Sequence, residues 1–206
     1  MKSSLNRTLI AAVLVSLLGT GCAPLLIGGA MVGGVNVATD RRTSGTQLED
    51  ESIEIKAGAR IREQIGEKAH INVNSYNRVA LITGEANSEE TRARIETLVG
   101  GVENVQRVMN EVAIGANSSL SGRSNDVLIQ GKIKAKLIDA KDLISNAFYV
   151  VVERGNVYLL GRVTEREANR ATEIARQISG VRKVIRAFEI ISEEELARYA
   201  PKAAPQ

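Results

Sequence analysis

The strongest constraint on this chain is that it says nearly the same thing twice. VALITGEANSEETRARIETLVGGVENVQRVMNEV at residues 79–112 is answered by VYLLGRVTEREANRATEIARQISGVRKVIRAFEI at 157–190. Gly84 recurs as Gly161, 77 positions on. Gly101-Val102 aligns with Gly180-Val181, 79 positions on, with the two extra residues assigned to the intervening helix. A repeat of this length is one supersecondary unit used twice, so two like domains are expected rather than one larger core.

Each copy divides into elements. A first helix is predicted over 50–65, because Ile53, Ala57, Ile61 and Ile65 recur every four residues on one face. Two strands follow at 71–73 and 79–83, around the turn residues Ser75-Tyr76-Asn77. Asn87 is placed to cap a second helix, with Glu90 at the capping-box position, and that helix ends at Gly100-Gly101. A third strand is predicted over 102–114. The second copy repeats the order, with a tight turn at Arg154-Gly155-Asn156 and Thr164 with Glu167 as the capping box.

Helix–strand–strand–helix–strand, written twice, with V-x-L-x-G at 157–161 and G-V-x-x-V after the second helix, resembles the BON domain. The resemblance covers residues 47–192. It implies an α+β fold of two tandem BON domains, each a three-stranded sheet packed by two helices. The domains are placed at 47–115 and 123–192, joined by a linker at 116–122 and followed by a tail at 193–206. The lead-in TDRRTSGT at 39–46 is similar to that of outer-membrane lipoproteins carrying two such domains. The resemblance further implies export, membrane association by phospholipid binding, and a part in envelope integrity and cell division, without catalysis. One copy of about seventy residues buries only a modest core, so the two copies are expected to pack together.

The N-terminus supports export. Lys2 and Arg7 precede an apolar run, LIAAVLVSLL at 9–18, of signal-peptide length. The small residues Gly19-Thr20-Gly21 then lead into Cys22, the only cysteine, which resembles a bacterial lipobox. On that resemblance residues 1–21 are a signal peptide, and Cys22 carries a diacylglycerol and an N-acyl chain. Each buried acyl CH₂ contributes about 0.8 kcal/mol, so two or three chains anchor the protein durably. The alternative is a soluble exported protein cut nearby, with a free thiol. Ala23 follows the cysteine, where Asp marks inner-membrane retention, so the expected destination is the outer membrane, facing the periplasm. Residues 22–46 form a Gly-rich tether, including the GxxxG of Gly29 and Gly33.

The search for chemistry finds little. His70 is the only histidine, at the head of a strand, and is expected to be structural. No CxxC, HExxH or phosphate-cradling glycine loop occurs. No enzyme activity, metal, small-molecule substrate or cofactor beyond the acyl chains is therefore expected. The arginines of the second copy are interspersed with glutamates and lack an aromatic platform, which argues against nucleic acid.

One stretch exceeds what a core helix needs. In VLIQGKIKAKLI, residues 127–138, Ile129, Ile133 and Leu137 make one apolar stripe. Val127, Leu128, Gly131, Ala135 and Ile138 make a second on the opposite side, flanked by Lys132 and Lys134. The counterpart in the first copy reads Glu51, Ser52, Ile55, Ala59 and Arg62, mostly polar. Asp126 is read as favouring the helix N-terminus. The second face thus becomes the candidate phospholipid site, for an anionic membrane reached through lysine stems that lift their charges to headgroups. Packing on the first domain, and an envelope or division protein as partner, remain the competing readings.

Overall fold

The protein is described by a computed structural model over residues 40–66 and 69–199. The first repeat contains α1 (Ser44–Gln64), β1 (Ala69–Tyr76), β2 (Val79–Ala86), α2 (Glu89–Gly100), β3 (Arg107–Asn110) and β4 (Ala113–Ile114). The second contains α3 (Leu120–Asp139), a 3₁₀ turn (Ser145–Ala147), β5 (Tyr149–Glu153), β6 (Asn156–Val163), α4 (Glu165–Arg176) and β7 (Lys183–Ile190), and α5 (Glu193–Ala197) follows. In each repeat the middle strand pairs antiparallel with the strand before it and parallel with the strand beyond the helix. A parallel partner requires a crossover, and α2 and α4 supply it. The fold is α+β in two like domains. The signal peptide, Cys22 and most of the tether assigned from sequence lie outside the described residues.

Strand alternation sends successive side chains to opposite faces, and both faces of the middle strands are used. In the first domain Ala80, Ile82 and Ala86 of β2 pack with Ile53, Ala57 and Ile61 of α1 and Ile95 and Val99 of α2. In the second, Val157, Leu159 and Val163 of β6 meet Ile129, Ile133 and Leu137 of α3 and Ala168 and Ala171 of α4. The intervening residues point the other way. Tyr76 and Leu81 pack against Val151, Tyr158, Leu160 and Ala187, with Met109, Tyr149 and Ile185 at the margin. The two sheets therefore stack by their helix-free faces, and helices cover the outer sides.

This contact is close to two-fold. Position 72 of the first repeat matches 149 of the second, and 76 matches 153, by the hairpin registers. Asn72 donates to the Glu153 carboxylate at 3.2 Å. The reciprocal pair, Tyr76 and Tyr149, has ring centroids 6.4 Å apart. One surface thus meets its own likeness, as in an isologous dimer.

Several expectations need correction. Both leading helices start earlier than read: α1 at Ser44, and α3 at Leu120, inside the stretch taken as linker. Ser88, not Asn87, caps α2 and accepts the Thr91 N–H, while the Asn87 side chain accepts only the Thr91 hydroxyl. The third strand is broken into β3 and β4. The alignment of Gly101-Val102 with Gly180-Val181 does not hold in space. α2 and α4 have the same length, 12 residues. The N–H groups of Val105 and Gln106 bond Val102 and Arg78, as those of Val181 and Arg182 bond Ile178 and Gly155. Asn104 therefore occupies the place of Gly180, and both adopt left-handed φ, 69° and 95°. Asparagine tolerates that conformation, which hid the true match from a search for glycine.

Candidate functional site

Helix α3 is fixed at both ends and along one side. Ser119 caps it by accepting the Gly122 N–H. Ile129, Ile133 and Leu137 are buried against the sheet. Asp126 is buried in the second turn rather than serving the helix terminus, and its carboxylate accepts the N–H groups of Arg154 and Gly155. Gln130 donates to the Val150 carbonyl at 2.6 Å and so covers part of the open edge of β5.

The opposite side stands free. Val127, Leu128 and Ile138 are 66%, 62% and 69% exposed. Gly131, Lys132, Lys134 and Ala135 are exposed too. A methyl group on Gly131 would touch nothing. All seven residues assigned from sequence therefore share one solvent-facing side, and the first domain does not cover it. Sequence reasoning missed Leu120, which is 81% exposed and falls on the same face at about 100° per residue. It lay within the presumed linker, where no helical phase could be assigned.

Among the described residues five arginines of the second domain are held in ion pairs, whereas Lys141, Arg176, Arg182 and Lys183, like the lysines of this face, are not. Arg162 pairs with Glu189 and Glu195, Arg166 with Glu193, Arg170 with Asp142, and Arg186 with Glu165. Among the described residues Lys132, Lys134 and Lys136 form no ion pair. The outer side of α1 is less polar than its sequence suggested, because Leu48 joins Ile55 there, both largely exposed. That helix nevertheless carries two exposed large apolar side chains against four on α3.

Elsewhere the described residues hold no cluster of three or more His, Cys, Asp or Glu suited to a metal. His70 sits beside Glu85, its Nδ1 3.7 Å from a fully buried carboxylate. Among the described residues no helix is long and apolar enough to cross a membrane.

Two stacked α/β repeats, each with a helix-free sheet face turned inward, define a tandem-domain protein. The BON domain family matches residues 50–116 and 125–192, and the chain belongs to that family. It is 36% identical to the outer membrane lipoprotein DolP of Haemophilus influenzae, over 83% of this chain and 89% of the relative. It is 32% identical to a 21 kDa hemolysin of Actinobacillus pleuropneumoniae (74% and 79%) and 27% identical to the osmotically inducible protein Y of Escherichia coli (87% and 93%).

Proposed function

We propose that this protein is a non-enzymatic outer-membrane lipoprotein that docks on anionic phospholipid through α3 and helps maintain the envelope from the periplasmic side. The observation that carries the reading is the outer face of α3, where four large apolar side chains lie exposed beside three unpaired lysines. An amphipathic helix of this kind lies in the interfacial plane, with its apolar residues entering the acyl boundary. Each cation near an anionic surface contributes about 1 kcal/mol, so docking by α3 alone is weak and reversible. Weak docking suffices if acyl chains on Cys22 already hold the protein at the membrane. The lipobox-like sequence and the similarity to a named outer membrane lipoprotein support that anchor.

Vesicle co-sedimentation of a form lacking the first 22 residues tests the docking face. Binding should require anionic lipid, weaken with salt, and disappear in Leu128→Glu and in Lys132→Glu/Lys134→Glu. Binding that survives these changes rules out α3. A folded form that ignores vesicles altogether leaves the adaptor reading, in which the same face recruits an envelope or division protein. For the anchor, palmitate labelling should vanish in Cys22→Ala.

A further inference from the structure

The residues just ahead of α1 do more than lead into it. Arg41 is 3% exposed and reaches out of the first repeat to the second. Its two terminal nitrogens donate to the two Glu167 oxygens, both at 2.8 Å, and Nη1 also donates to the Arg162 carbonyl at 2.8 Å. Arg162 returns a hydrogen bond to the Arg41 carbonyl. The next residue holds the other domain. Arg42 donates to Asp50 of α1 at 2.8 Å and lies 4.2 Å above the Tyr76 ring. The Tyr76 hydroxyl in turn accepts the Arg162 N–H. Asp40 accepts from the Arg42 side chain and backbone and so fixes the bend between the two arginines.

The near two-fold relation of the repeats makes this arrangement informative, because it has no counterpart on the other side. The helices stand 76 positions apart, so Arg41 corresponds to Asn117, and Glu167 to Thr91. Neither replacement can form a charged fork. The two ends of the interface differ accordingly. At the Arg41 end Asn77 and Arg162 share Glu189, and both terminal nitrogens of Arg41 are hydrogen-bonded, with its Nε alone left without a partner. At the far end Asn72 donates to Glu153, but buried Glu85 stands 3.8 Å from Arg154 of the second domain, and neither of its oxygens has a hydrogen-bond partner.

We propose that residues 40–42 are an interdomain strap: the segment that carries the chain from its N-terminal residues into α1 is docked on the second domain by the Arg41–Glu167 fork and holds the two sheets closed at that end. A bidentate guanidinium–carboxylate pair fixes orientation as well as distance, and here both partners are withdrawn from water. Any load on the N-terminal chain therefore reaches both domains together, not the first alone.

The strap is tested on the chain carrying Cys22→Ser, with spin labels at the exposed positions Glu51 on α1 and Ser124 on α3. Pulsed dipolar spectroscopy should give one narrow distance in the parent. Arg41→Met and Glu167→Gln should both broaden and lengthen it, and Arg166→Met, which removes an exposed pair, should leave it unchanged. Glutamine at 167 still completes the capping box of α4, so amide exchange of α4 should stay slow while exchange at the sheet–sheet face quickens. An unchanged distance in Arg41→Met overturns the proposal. Loss of α4 protection in Glu167→Gln also overturns it, because the pair would then be holding the second domain's own fold.

Discussion

Asp50 and Asp126 stand at the same point of the two repeats and hold the same turn. Asp50 accepts the N–H groups of Asn77 and Arg78, and Asp126 those of Arg154 and Gly155, all at 2.7–2.8 Å. The four turn residues have φ of 49°, 63°, 53° and 74°, the paired left-handed conformation of a type I′ hairpin. Both helices are thereby tied to the hairpins that follow them.

Removing either carboxylate should be costly. Asp126→Ala leaves two donors without their charged acceptor and should lose about 3 kcal/mol in urea unfolding. Asp50→Ala should lose more, since Ser75 and Arg42 also bond that carboxylate. The asparagine variants should fall between these and the parent.

Glycines should divide by environment. Gly84 and Gly161 have positive φ, and a Cβ there would collide with the carbonyl oxygens of His70 and Ala147 on the neighbouring strand or turn. Gly84→Ala and Gly161→Ala should each destabilise by at least about 2 kcal/mol. Gly131→Ala, in an open helix interior, should instead stabilise by roughly 0.5–1 kcal/mol. Thermal unfolding of the three variants should show the opposite signs directly.

The outer face of α3 should be nearly silent in stability. Val127→Ser and Leu128→Ser touch no core and should change unfolding free energy by less than about 0.5 kcal/mol. Ile133→Ala, on the buried stripe, should cost about 2–5 kcal/mol. A large loss in the first pair would mean that the face packs against something within the chain.

Acidity should act in two opposed steps. Burial pushes the carboxyls of Glu54 and Glu153 above their ordinary 4.5, despite hydrogen bonds from the Ser75 N–H and from Asn72. These groups bind protons in the folded state before the unfolded chain does, so stability should rise as pH falls from neutral through their raised folded values toward 4.5. Burial also disfavours the charge of Glu167, but Arg41 and the Thr164 N–H outweigh it and hold its pKa below 4.5. That contribution is present above 4.5 and lost as pH falls through the folded value. Chemical unfolding at a series of pH values should show a rise and then a fall. Glu153→Gln should flatten the first limb and Glu167→Gln the second.

Much of each domain was legible because its cues are local. The four-residue spacing from Ile53 to Ile61, the Thr164–Glu167 capping box and the turn at Arg154-Gly155 are set by neighbours a few positions apart. The candidate docking face was legible for the same reason, since a helix places residues by sequence phase alone. Reading failed where one residue type stood in for another, as Asn104 does for Gly180, or where a cap shifted by one, as from Asn87 to Ser88. It also stopped short at Leu120, outside any recognised period.

By itself the sequence determined two like α/β units, their core stripes and the amphipathic surplus of α3. Only the tertiary structure decided that the sheets stack through Leu81, Tyr158 and Leu160, and so left that surplus uncovered. It alone joined Arg41 to Glu167, 126 residues apart. The reason is physical: periodicity and caps follow from backbone geometry over one or two turns. Which buried face meets which depends on shape and charge brought together only after both domains have formed.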